Sequence, residues 1–392
     1  MTGLLSLAAL AVVVDVAPLA QTSRAISIQV SETTGIRRTE YPVNARVPMP
    51  KGALADAAHA RLRLNETDVP AQISSQAQWD DGSVRALDVD FNVSIGPSES
   101  RSYQLEYGVE IGPSAAPRGL AVSETAEAIQ VGNVKFGRSG SPLLLSANYR
   151  GELIGAGANG LSITDASGGR HDLSSAESLK VELVKRGPLF VVLQYSGRLP
   201  LNADYAVPFT LTCEMPNSKS WVRTTIVVSD PARRVRDVAL ETPLALGDKP
   251  WTWDFGSENG TYGAFRNPAD SVRLTQTTSA KGNAWDVQTA AESELRPFET
   301  SVGNRAKVVG GWGHILDAAR AVAFAVDRFA IERGTYTISL NGQGQALFRL
   351  APEQPKTEHR LTVYEHFVAT PVPIGAATSP TAMLNPLAVV VK

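Results

Sequence analysis

Apolar and polar residues alternate with a period of two through most of this chain from Ile26 onward, and that periodicity constrains the fold more than any other feature. One buried side chain at every second position describes a half-buried strand, whereas an amphipathic helix needs repeats of three and four. The stretch ALDVDFNV puts Leu87, Val89, Phe91 and Val93 on one face and Asp88, Asp90 and Asn92 on the other. YQLEYGV aligns Tyr103, Leu105 and Tyr107, FTLTCEM aligns Phe209, Leu211, Cys213 and Met215, and AVAFAVDRF aligns Val322, Phe324 and Val326. Glycine (32) and proline (24) interrupt the chain at short intervals, and only ALADAAHARL, residues 53–62, has a helix-like composition. The expectation is an all-β protein.

Punctuation divides the chain further. IGPSAAPRG, residues 111–119, has the composition of a linker. It predicts a small N-terminal β-barrel-like domain over 26–111, a linker over 112–119 and a large antiparallel β-sandwich over 120–392. Inside the larger part, WDFGSENGTYGAFRNPADSV and TTSAKGNAW read as long excursions between strands, where binding groups usually sit.

Several function classes are excluded early. The 37 basic and 39 acidic residues balance, with no long run of one sign, so nothing points to nucleic acid. Cys213 is the single cysteine, which rules out an intramolecular disulfide and any cysteine-rich metal site. The first 25 residues carry an apolar stretch from Leu4 to Val14 and small residues at Ser23 and Ala25, the pattern of a signal peptide cleaved after Ala25. That places the protein in the periplasm or outside the cell. No later stretch reaches the ~18 apolar residues of a membrane helix.

TGIRRTEYPVNARVPMPKGAL, then VPAQISSQAQWDDGSVRALDVDF, then YQLEYG resembles the N-terminal barrel domain of the exo-rhamnogalacturonan lyase and YetA-like family. VELVKRGPLFVVLQYSGRL, GGWGHILDAARAVAFAVDRFA and PKTEHRLTVYEHF resemble its central β-sandwich, in the same order. The resemblance implies an exported, carbohydrate-active protein that binds an acidic polysaccharide and supports β-elimination at a uronate. Lyases of that family are expected to continue into a helical toroid that contributes to the catalytic cleft. No long run of helical periodicity follows the sandwich here, so the alternative is a non-catalytic glycan-binding or envelope-associated module.

Four stretches hold the candidate site residues. In WDDGS, Asp80, Asp81 and Gly82 suit a tight turn, with Trp79 packing beside it or stacking on a sugar. In KPWTWDFG, an extended backbone projects Trp251, Trp253 and Phe255 to one face, a platform for a saccharide if exposed and core if buried; Tyr262 and Arg266 follow nearby. In KTEHRLTVYEHF, Arg360, Thr362, Tyr364 and His366 share one face. A lyase must neutralise a carboxylate, remove a proton and protonate a leaving oxygen, roles for Arg360, Tyr364 and His366, with His314 as a further catalytic candidate. In GGWGHILD, Trp312 and His314 share a face, flanked by glycines that admit a ligand or fit a bulge. The five histidines are scattered without metal-ligand spacing, so no metal or cofactor is expected; calcium held by loops is left open, without a matching motif. The glycines of GAGANG, residues 155–160, precede no strand–helix unit and make no nucleotide site.

Overall fold

Strands account for nearly all the regular structure, as the period-two pattern requires. A computed structural model describes residues 24–115, 119–139, 141–256, 261–291, 294–303, 309–369 and 379–392, with the side chains of 291, 294–303 and 379 left aside. The expected signal segment therefore lies outside the described residues, apart from Arg24 and Ala25. Among the described residues all strand pairings are antiparallel and fall into five sheets.

Two of these sheets form the N-terminal module. Arg38–Pro48, Val84–Ile95 and Ala71–Gln78 make one; Arg24–Ser31, Ser100–Tyr107, Ala60–Leu64 and Thr67–Val69 make most of the other. Ile28, Val30, Val47, Leu62, Leu87, Val89, Phe91, Val93 and Leu105 are buried between them. The patch at 53–62 is not an α-helix. Asp56 caps a single 3₁₀ turn at Ala57–His59 by accepting from the Ala58 N–H, and the chain then enters the strand Ala60–Leu64, where Ala60 and Leu62 point inward. WDDGS is a turn: Asp81 Oδ1 accepts from the Ser83 N–H (3.0 Å) and hydroxyl (2.6 Å), and Gly82 sits at φ +81. Trp79 donates its indole N–H to Met49 O (3.0 Å) under the Arg85 guanidinium, so it packs structurally.

The sandwich is built from an eight-stranded and a nine-stranded sheet, with a four-stranded sheet of Val122–Glu124, Ala128–Val131, Val134–Gly137 and Leu144–Ala147 added to the same core. The segments read as long loops contribute strands instead: Trp251–Phe255 pairs with Thr261–Phe265, and Ser271–Ser279 turns tightly into Gly282–Ala291. In Glu358–Ala369, Leu361, Val363, Glu365 and Phe367 face the sandwich core while Tyr364 packs on the opposite side.

The opposite face of the nine-stranded sheet is covered as well. The N-terminal module and a short α-helix, Ser379–Leu384, pack on it. Ala323 and Ala325, both buried, form a shallow strip that receives this helix. Arg38 donates to Ala382 O (3.1 Å) and Asn385 O (2.7 Å), and the Tyr41 hydroxyl to Ala382 O (3.1 Å), which ties the helix C-terminus to the N-terminal module. The chain then returns to that module: Ala388–Val391 pairs with Arg24–Ser31. The partition that gives all of 120–392 to the sandwich does not anticipate this return. No helix among the described residues is long and apolar enough to cross a membrane.

Glu365 lies inside the sandwich core beside Val363 and Phe367, 1% exposed, with neither carboxyl oxygen in a well-formed hydrogen bond. Burial pushes its pKa up to about 7, and the Thr242 hydroxyl pulls weakly the other way. A raised carboxyl favours the fold below its ordinary value near 4.5 and loses that contribution as pH rises to about 7. Glu365→Gln should therefore gain roughly 2–3 kcal/mol relative to the native chain between pH 5 and pH 8 in urea unfolding. A pH-independent difference would mean that the carboxyl is ionised in the folded state.

Candidate functional site

Regular register across the nine-stranded sheet sets side chains of neighbouring strands in transverse rows on its outer face. One row runs Glu214, Arg223, Tyr364, Ala325, Trp312, and the next runs Trp221, His366, Ala323, His314, Asp254. The helix occupies the alanine part of these rows. Where the rows continue with long side chains, toward Arg223 and Glu214, the N-terminal module stands off the sheet and leaves a cleft of about 490 Å³. Tyr41, Asn44, Gln76 and Asp88 line it from the module, Lys185, Phe190, Glu214, Trp221, Arg223 and Tyr364 from the sheet, and Leu387 and Val389 from the returning C-terminal segment. Its volume is that of a small-molecule site.

Charge inside the cleft is paired. Lys185 lies 3.3 Å from Asp88 and 2.8 Å from Asp90, and Asp90 also accepts from Asn44 Nδ2 (2.7 Å). Burial raises the Asp90 carboxyl, against the pull of Lys185. Arg223 Nη1 donates to Glu214 (2.6 Å), with its guanidinium carbon 5.6 Å from the Tyr364 ring centroid, and Lys185 stands 5.2 Å from the centre of Phe190. The Tyr364 hydroxyl is pushed up to about 12 by burial, so it stays protonated, and it makes no hydrogen bond to any described residue. It is free to donate and accept toward a ligand.

The structure separates the residues that the sequence grouped. Of Arg360, Tyr364, His366 and His314, only Tyr364 lines this cleft. His366 is 7% exposed and packs edge-on against Trp221; burial, then Lys219 and His314, push it down to about 3, too weak a base for proton abstraction near neutrality. His314 is held through Nδ1 by Asp254 (2.8 Å), and Arg360 lines a separate hollow of about 160 Å³ beside Asp327 and Glu332. Trp251 and Trp253 are 6% and 3% exposed, so the aromatic row is sandwich core rather than a platform. Trp312 is half-buried, and a Cβ on Gly310 would come within 2.4 Å of its indole, while one on Gly311 would meet Phe329 and one on Gly313 the Asp254 carbonyl, so these glycines make room for the protein's own packing and not for a ligand. Tyr262, at 74% exposure, and Arg266 remain on the surface, outside the cleft. Tyr41, Asn44, Asp88, Lys185, Glu214 and Arg223 were not singled out by their sequence. Their one signal is an outward strand face that carries Trp221 and Arg223 two residues apart, as it carries Tyr364 and His366. Among the described residues no group of three or more His, Cys, Asp or Glu side chains could hold a metal ion.

In fold, the chain is similar to a glycosyl hydrolase family 38 protein from Enterococcus faecalis, with a TM-score of 0.55 and 10% identity over 94% of this chain and 47% of that one. It is similar to an α-mannosidase from Enterococcus faecalis V583 to the same degree, with a TM-score of 0.55 and 11% identity over 94% of this chain and 46% of the other. The chain thus spans somewhat under half the length of each. No protein-family model matches it, and no curated protein matches its sequence. These likenesses correct the resemblance to rhamnogalacturonan lyases: the shared architecture is that of a different carbohydrate-active family. Period-two stretches and turn dipeptides are common to many β-sandwiches, which is why they pointed to the wrong one.

Replacing Trp253 with Ala should cost roughly 3–5 kcal/mol of stability, as for a large aromatic removed from a packed core. Urea unfolding measures this; a loss below about 1 kcal/mol would return Trp253 to the surface.

Proposed function

We propose that this chain is a carbohydrate-binding module that holds a neutral oligosaccharide in the cleft between its N-terminal module and its nine-stranded sheet. The observation that carries the proposal is the cleft itself, about 490 Å³, where the unpartnered Tyr364 hydroxyl stands among Tyr41, Phe190 and paired polar groups. Ring faces suit the apolar faces of a sugar, and the carboxylates, guanidinium and amides beside them suit its hydroxyls. The fold shared with carbohydrate-active enzymes supports the same reading. An acidic ligand is less well served, because Lys185 and Arg223 already have carboxylate partners. Hydrolysis at this cleft would need a carboxyl free to deliver a proton, and Asp88 and Glu214 are each engaged by a cation. The reading is therefore of binding.

Calorimetric titration with neutral and uronate-containing oligosaccharides tests it. Neutral ligands should bind, Tyr364→Ala should weaken them by about thirtyfold, consistent with roughly 1 kcal/mol for ring contact and a similar amount for the hydroxyl, and Tyr262→Ala should leave them unchanged. The reverse order of the two variants would move the site to the exposed Tyr262 surface, and turnover abolished by Glu214→Gln would make the chain an enzyme.

We further propose export through the first 25 residues. Arg24 and Ala25 are exposed at the start of the first strand, so cleavage after Ala25 leaves Ile28 and Val30 in their buried places. N-terminal sequencing should find Ile26 first in an exported product; an intact Met1 in the cytoplasm would contradict this.

A further inference from the structure

The glycine-rich loop 155–160, which fits no nucleotide motif, borders two adjoining cavities at the edge of the eight-stranded sheet. The first, of about 190 Å³, is lined by Gly160, Arg170, Asp172, Ser174 and Glu241. The second, of about 240 Å³, shares Ser141, Gly157 and Asn159 with the first and adds Pro142, Leu144 and Leu145 to its wall. The loop is fixed: Asn159 exchanges hydrogen bonds with the Leu144 backbone (3.0 and 2.7 Å), and Gln345 Nε2 donates to Ala158 O (2.9 Å).

Glu241 is the unusual member. It is 5% exposed, and its Oε1 alone receives both Ser162 Oγ (2.5 Å) and Arg170 Nη1 (2.6 Å). Oε2 takes no partner from the described residues, although the side chain lines the first cavity. That oxygen is not one of the fully enclosed unpartnered atoms, so it opens on the cavity and can take a donor from there. The Arg170 side chain is 47% exposed and keeps N–H groups beyond the one given to Glu241. An acceptor and donors thus stand side by side, the pair that one hydroxyl-bearing edge satisfies. Asp172 and Asp237 lie near Arg170 as well, so acids outnumber the guanidinium and an anionic ligand is disfavoured. At ~30 Å³ per water the first cavity holds about six waters, the space of one small polyol ring.

We propose that this groove is a second saccharide site, which takes the terminal ring of a neutral glycan with its hydroxyl edge on Glu241 and Arg170 and its apolar face toward Pro142 and Leu145. It is independent of the cleft. The test is saturation-transfer NMR and calorimetry with p-nitrophenyl glucoside, galactoside, mannoside and glucuronide, on the native chain and on Glu241→Gln, Arg170→Ala and Tyr364→Ala. At least one neutral glycoside should bind, should weaken by about tenfold in both Glu241→Gln and Arg170→Ala, and should be unaffected by Tyr364→Ala, while the glucuronide binds less well. The half-exposed Arg170 keeps the test meaningful should Glu241→Gln disturb folding. Absence of binding by the native chain, equal binding of the glucuronide, or affinity unchanged in Arg170→Ala overturns the proposal. Loss in Tyr364→Ala but not in Arg170→Ala would assign the glycoside to the cleft and also overturn it.

Discussion

The central strands of the nine-stranded sheet are covered on both faces, and the rest of the molecule is arranged around that requirement. Antiparallel sheets commonly leave one face to water. Here the second face is covered by another module, so polar groups that water would satisfy must meet protein instead. Asp88 and Asp90 share Lys185, Asn92 donates to Asn217 (3.0 Å), and Gln72 bonds the backbone of Leu189 and Phe190. The raised Asp90 carboxyl reflects the desolvation that such an interface imposes. A buried ion pair of this kind contributes little net stability against an apolar substitute, but losing one partner is costly, so it fixes how the two modules dock.

The same requirement accounts for the cleft. Two rigid β surfaces with side chains of uneven length cannot touch everywhere. Ala323 and Ala325 lower the sheet surface enough for the helix Ser379–Leu384 to lie on it, and Met383 fills the contact. Beyond that strip the surface rises with Tyr364, Arg223 and Glu214, and the module is held away. The C-terminal segment then bridges the step, with Leu387 and Val389 forming part of the cleft wall before the last strand joins the first.

Strand faces were legible in the sequence because period two is a local property, and Leu87, Val89, Phe91, Leu211, Phe324 and Val326 all lie where alternation puts them. What covers the other face is not local. Asp88 and Asp90 have the pattern of a solvated face, and only the docking of Lys185, about a hundred residues later, reveals them as interface. Aromatic character misled in a similar way. Trp251 and Trp253 outrank Tyr364 as a sugar platform by size, yet a large ring lowers the free energy most when buried, and these two are in the core. Tyr364 was picked out with His366 as a catalytic pair; their shared face is real, but the covering helix and Trp221 close over one and leave the other open. The composition at 53–62 favoured a helix, and the burial of Ala60 and Leu62 in a strand overrode it.

Pairing of charges, more than the charges themselves, decides what the open surfaces can recognise. A site for an anion presents cations whose only counter-charge is the ligand, and the affinity comes from relieving that imbalance. In the cleft, Lys185 and Arg223 are already neutralised by carboxylates that share the same surface, so a ligand sees alternating donors and acceptors with little net field. Hydroxyl groups, each both donor and acceptor, complement such an array without carrying charge into a partly dry space. The Arg170–Glu241 pair repeats the arrangement on the other sheet, with an acceptor oxygen left over instead of a tyrosine hydroxyl. Weak, geometry-limited hydrogen bonding of this sort discriminates among hydroxyl patterns better than it provides affinity. An extended, repetitive ligand that reached both proposed surfaces would be held more firmly than by either alone.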